Sequence, residues 1–110
     1  MKNTVSFLFA VLLTAGLAMA ADEKKKAGDV AKGKETFEQC AACHNVDSPE
    51  KKMGPSLQGL YKKKALKNGK SVTDASVKAI VNAGGNGMPA YADLLSDEER
   101  TDLLAYLNTI

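Results

Sequence analysis

Five consecutive residues, Cys40-Ala41-Ala42-Cys43-His44, constrain this chain more than anything else in it, because they use both of its cysteines and its one histidine. A Cys-x-x-Cys pair alone fits several chemistries. A thioredoxin-like redox pair belongs in βαβ units, and the sequence offers no convincing strand. A closed zinc site needs about four Cys, His or carboxylate ligands, and a Cys/His set of that size cannot be assembled here. A disulfide between Cys40 and Cys43 would close a very small loop and stabilise little. The fifth residue decides. Cys-x-x-Cys-His is the haem c attachment signature, in which each thiol forms a thioether with a vinyl group and the following imidazole coordinates the iron. One covalent haem c is therefore expected, bound by Cys40 and Cys43, with His44 as an iron ligand.

The folded part is expected to be small. Met1 to Thr4 carries the positive Lys2, an apolar run spans Val5 to Ala18, and Ala18-Met19-Ala20 supplies small residues at an exit site. This pattern predicts a signal peptide over 1–20 and export to the periplasm. The apolar run is shorter than the ~20 residues that cross a bilayer, so no permanent membrane span is expected. Asp22-Glu23-Lys24-Lys25-Lys26 follows with no turn into a core, which speaks against a buried N-terminal helix. Ala21, not a cysteine, would follow the cut, so no lipid anchor is expected. Residues 21–28 read as a flexible leader and 29–110 as one domain, taken to be a monomer. With no tryptophan and 5% aromatic residues, such a domain has little from which to build a core unless something large and apolar joins it. The 15 basic and 13 acidic side chains nearly balance, which argues against a nucleic-acid partner.

Periodicity predicts an all-α chain. From Asp29 onward Val30, Gly33 and Phe37 recur at helical spacings, and Cys40 to His44 is expected to end that helix. A region rich in Lys, Gly and Pro follows to about Lys70, with a helical turn around Leu57 to Lys64. Thr73 or Asp74 suits the cap of a second helix with Val77, Ile80 and Val81 on one face and Gly84 at its end. Gly84-Gly85-Asn86-Gly87 breaks the chain before Met88-Pro89. Ser96 and Glu99 form the capping box of a last helix whose apolar face is Leu103, Leu104, Tyr106 and Leu107.

With one histidine, two imidazoles cannot ligate one haem within a monomer. The sixth position is left to a methionine, another side chain, water or nothing. Met53 and Met88 are the two methionines beyond the expected signal peptide. Met53 follows His44 on a short tether ahead of Gly54-Pro55, whereas Met88 comes much later, behind glycines that permit close backbone approach. A methionine is more often packing than ligand. Position makes Met88 the better candidate for the metal.

With these residues in hand, the sequence resembles the class I cytochrome c family, especially its small bacterial monohaem members, over nearly all of 28–110. Gly33 and Phe37 are similar to the first-helix positions that pack on the last helix, and Leu103-Leu104-Ala105-Tyr106-Leu107 to their partner segment. Gly54-Pro55-Ser56-Leu57-Gln58-Gly59-Leu60-Tyr61 is similar to the segment in which a proline carbonyl accepts from the ligating imidazole. The resemblance gives Pro55 that role, raising the basicity of His44. Gly87-Met88-Pro89-Ala90-Tyr91 is similar to the methionine-ligand segment. Where the family often places an arginine near a haem propionate, this chain has Lys62-Lys63-Lys64, which lack the planar fork.

The resemblance implies a class I cytochrome c fold and a soluble one-electron carrier with His/Met ligation, not an enzyme. Ligands on both sides leave no open position and raise the potential. A haem sensor or peroxidase-like enzyme would need the Met88 side displaceable, and an electron-entry subunit of an oxidoreductase complex is a third reading. Lys51, Lys52, Lys62, Lys63 and Lys64 are either a solvated loop or a positive rim that steers an acidic redox partner.

Overall fold

The computed structural model describes residues 27–110, so the expected signal peptide and residues 21–26 of the expected leader lie outside the described residues. Three helices carry the fold: α1 (Val30–Phe37), α2 (Asp74–Ala83) and α3 (Asp97–Leu107), with a short 3₁₀ turn at Leu60–Lys62. Among the described residues there is no strand, and the pairings Ala65 with Ser71 and Gly85 with Met88 are isolated bridges.

Each helix begins where its sequence supplies an acceptor for the orphan N–H groups of a first turn. The Asp29 carboxylate accepts from Lys32 N, and Thr73 and Ser96 form capping boxes with Ser76 and Glu99. The helix start at Asp74 makes Thr73 the cap of α2. The first helix is shorter than the sequence implies. It stops at Phe37, and the chain continues in tight turns, with Cys40 N and Ala41 N both bonded to the Phe37 carbonyl.

Packing centres on the crossing of α1 and α3. A Cβ on Gly33 would run into the Asp102 carbonyl and lie 2.8 Å from the Tyr106 Cβ, so only glycine lets the two backbones meet there. The Phe37 and Tyr106 rings stack with centroids 5.4 Å apart and planes tilted by 52°. Upstream, Asp29 N donates to the buried Asp102 carboxylate at 2.7 Å, tying the start of α1 to α3. Phe37, Leu60, Val77, Val81, Tyr91, Leu95, Leu103 and Leu107 form one core, so residues from every helix and from the loop after Met88 share it. Of the face expected on α2, Val77 and Val81 are buried and Ile80 is half-buried.

Candidate functional site

Cys40 to His44 lies on the turn that follows α1. Cys43 N and His44 N both donate to the Cys40 carbonyl, at 3.1 and 3.0 Å, so the motif wraps around one backbone oxygen. Both cysteines are half-buried free thiols. Burial, helped by the neighbouring Cys43, pushes the Cys40 thiol up to about 11. A redox or nucleophilic cysteine needs the opposite shift, so Cys40 is poorly placed to attack as a thiolate. No group of three or more His, Cys, Asp or Glu side chains able to hold a metal ion occurs among the described residues.

The next segment folds back over the motif. Gly54 N donates to the Cys43 carbonyl at 2.8 Å, and Leu57 N to the Asn45 carbonyl at 2.8 Å. A Cβ on Gly54 would strike the His44 ring, with Nδ1 at 2.7 Å, so the backbone of Gly54 lies flat against the imidazole. Beside it, His44 Nδ1 sits 2.7 Å from the Pro55 carbonyl oxygen. A carbonyl can only accept, which places the proton on Nδ1 and leaves the Nε2 lone pair available to a metal. The buried Ser56 hydroxyl donates to the Ser48 carbonyl and accepts from Gln58 N, fixing the backbone beside Pro55.

The two methionines have different surroundings. Met53 is 86% exposed, and its sulfur lies 3.9 Å from the Cys43 thiol. Met88 is half-buried and packs against the core cluster, as Cys40 does. Its loop needs glycine: Gly84, Gly85 and Gly87 all have positive φ, and Asn86 joins them at 52°. Gly85 and Met88 exchange backbone hydrogen bonds of 2.9 and 3.0 Å. Tyr91 N then donates to the Val81 carbonyl at 2.9 Å, returning the chain to α2.

Lys51, Lys52, Lys62, Lys63 and Lys64 are all exposed, but two of them are engaged. Lys52 Nζ donates to the Ala41 carbonyl at 3.1 Å and Lys63 Nζ to the Ser56 carbonyl at 3.2 Å. The packing of Gly54 on His44 and the grip of Ser56 were missed from the sequence. Both depend on irregular backbone without periodicity. Arg100 was missed as well, although as the one arginine in a lysine-rich chain it was visible.

A family model described as cytochrome c oxidase, cbb3-type, subunit III matches residues 28–107. The chain belongs to the cytochrome c family. Cytochrome c6 of Diacronema lutheri is 32% identical over 73% of this chain and 94% of its own length. The cytochrome c subunit of 4-cresol dehydrogenase (hydroxylating) from Pseudomonas putida is 30% identical over 91% of this chain and 79% of its own. Among solved structures, cytochrome c6 of the diatom Phaeodactylum tricornutum is 34% identical, covers 74% of this chain and 93% of that one, and superposes with a TM-score of 0.58. The cytochrome domain thus has the class I cytochrome c fold, and membership implies covalently bound haem c, electron transport and redox partners. The residues present fit that group. Two unpaired thiols and an imidazole with its Nε2 lone pair free lie on one turn, and the half-buried Met88 packs against the same core cluster as Cys40.

Proposed function

We propose that this cytochrome is an exported, periplasmic one-electron carrier, with haem c held through Cys40 and Cys43 and its iron ligated by His44 and Met88. The observation that carries the reading is the 2.7 Å contact of His44 Nδ1 with the Pro55 carbonyl, which supports an imidazole held with Nε2 free for a metal. When bound, haem c supplies an iron that alternates between ferric and ferrous states. The chain's own residues do the rest. Cys40 and Cys43 prevent loss of the cofactor from a small pocket, and Pro55 raises the electron-donating power of His44. Met88 would offer a thioether, a ligand that favours ferrous iron and would leave less room for exogenous ligands.

The exposed Met53 beside Cys43 supports Met88, since a side chain next to the attachment motif is poorly placed to serve the position opposite His44. Export rests on the charged, apolar and small-residue pattern of 1–20, with 21–28 as the leader and 29–110 as the cytochrome domain. No described helix is long and apolar enough to cross a membrane. The domain is proposed to act as a monomer that docks partners near Lys51, Lys52, Lys62, Lys63 and Lys64, with no catalytic reaction of its own. The 4-cresol dehydrogenase subunit supports a second reading, in which the domain serves as the electron-entry subunit of a larger oxidoreductase. A pyridine haemochrome spectrum, with haem that resists acid-acetone extraction, tests the attachment. Extractable haem refutes it. Migration as a lone small protein favours the free carrier, and co-purification with a flavoprotein or other dehydrogenase favours the subunit.

A further inference from the structure

Arg100 carries the one guanidinium in the chain and is 9% exposed, in the first turn of α3. Its Nη1 lies 2.6 Å from the Leu95 carbonyl and 2.9 Å from that of Ala92, with the Tyr91 carbonyl at 3.5 Å. Its Nη2 meets the exposed Asp97 carboxylate. Its Nε is buried with no hydrogen-bond partner among the described residues. Burying a cation against neutral carbonyls costs desolvation energy, and an apolar side chain would fill the same space at less cost. The arginine must therefore contribute something that packing does not.

All three carbonyls belong to the segment that follows Met88. That segment also reaches α2, through Tyr91 N to the Val81 carbonyl at 2.9 Å and Ala92 N to the Asn82 carbonyl at 3.3 Å. Arg100 secures it to α3 from the other side. Lysine, a single point of charge, cannot address divergent carbonyls and a carboxylate with one planar fork.

We propose that Arg100 is a positioning residue: its guanidinium fastens the Tyr91–Leu95 turn to α3 and so governs how easily Met88 yields its place on the iron to an outside ligand. The proposal rests on Met88 being that ligand, as argued above. With the turn released, the loop from Gly84 to Ala90 keeps its backbone tie to α2, and the turn keeps its apolar packing through Tyr91 and Leu95 but loses its polar tie to α3. Met88 can then swing away at lower cost.

The test uses the ferric holoprotein, with imidazole as the competing ligand and the sulfur-to-iron charge-transfer band as the readout. Arg100→Leu should bind imidazole about tenfold more tightly than the parent, equivalent to ~1.4 kcal/mol. Arg100→Lys should fall between the two, and it decides the matter if the leucine variant does not fold. Amide exchange should quicken at Leu94 and Leu95, whose N–H groups bond to the Tyr91 carbonyl inside the released turn, while Gly54 and Leu57 keep their protection. Parent-like imidazole affinity in both variants overturns the proposal, as does uniform loss of protection that includes Gly54 and Leu57. Met88→Ala separates the two failures. If it keeps the charge-transfer band, the ligand assignment is wrong and the role of Arg100 falls with it. If it loses the band while the Arg100 variants titrate like the parent, the role of Arg100 alone is wrong.

Discussion

Around His44 the chain folds back on itself over residues 40–58, whereas Met88 rides on a loop fastened at its ends to α2 and α3. On the first side every constraint is local: the motif wraps the Cys40 carbonyl, Gly54 lies on the imidazole, and Pro55 accepts from its Nδ1. On the second side the loop closes on itself through Gly85 and Met88, but what fixes its place in the fold is remote, reaching from Val81 and Arg100 to a turn beyond the methionine. On the proposed ligation, His44 is oriented by its own neighbours before any metal arrives, whereas Met88 depends on tertiary structure and would be the natural point of release.

The largest expected effects come from breaking the His44 side at its covalent anchor. Cys40→Ala with Cys43→Ala should leave no covalent haem on a denaturing gel stained for haem, and His44→Ala should abolish low-spin iron and much of the fold. Next comes Gly84→Ala on the Met88 side. Gly84 has φ 63 and ψ −155, a region nearly closed to other residues, and a Cβ there would lie 2.5 Å from the Met88 carbonyl. Chemical denaturation should show a loss of about 2–4 kcal/mol, strain and overpacking together. Gly54→Ala should cost less, about 1–3 kcal/mol, because its obstacle is a side-chain ring. It should, however, move the spectrum and potential more per unit of stability lost, since that ring is the proposed iron ligand. If Gly84→Ala were as mild as a surface substitution, the contrast between the two sides would be lost.

The smallest effect concerns association. Charge reversal at Lys62 and Lys64 should slow electron transfer to an acidic partner at low salt and flatten its salt dependence, because such attraction is screened over ~8 Å at physiological ionic strength. Reversal of Lys24, Lys25 and Lys26 should do less. Lys63 is a poorer probe than its neighbours, because losing its bond to the Ser56 carbonyl would also disturb the backbone beside Pro55. Equal effects from both sets, measured by stopped-flow, would assign association to overall charge.

Much of this was legible in the sequence, for identifiable reasons. Asp29, Thr73 and Ser96 announce helix starts through local capping chemistry, and Gly33 with Phe37 marks the face that meets Leu103 and Tyr106. The motif names its own chemistry because adjacent residues perform it. The end of α1 was less legible, since the turn through Cys40 to His44 keeps helix-like hydrogen bonds after regular helix stops at Phe37. The contacts of Gly54, Ser56 and Arg100 were not legible. They join irregular segments through backbone carbonyls, and no side-chain pattern encodes which carbonyl a loop will present.

The central claim is that Met88, and not Met53, completes the iron site opposite His44. The most direct measurement is the sulfur-to-iron charge-transfer band of the ferric protein in Met88→Ala and in Met53→Leu. The account predicts that Met88→Ala loses the band, turns high-spin or aquo and falls in potential, while Met53→Leu retains all three properties of the parent. A band that survives Met88→Ala and vanishes in Met53→Leu would contradict it.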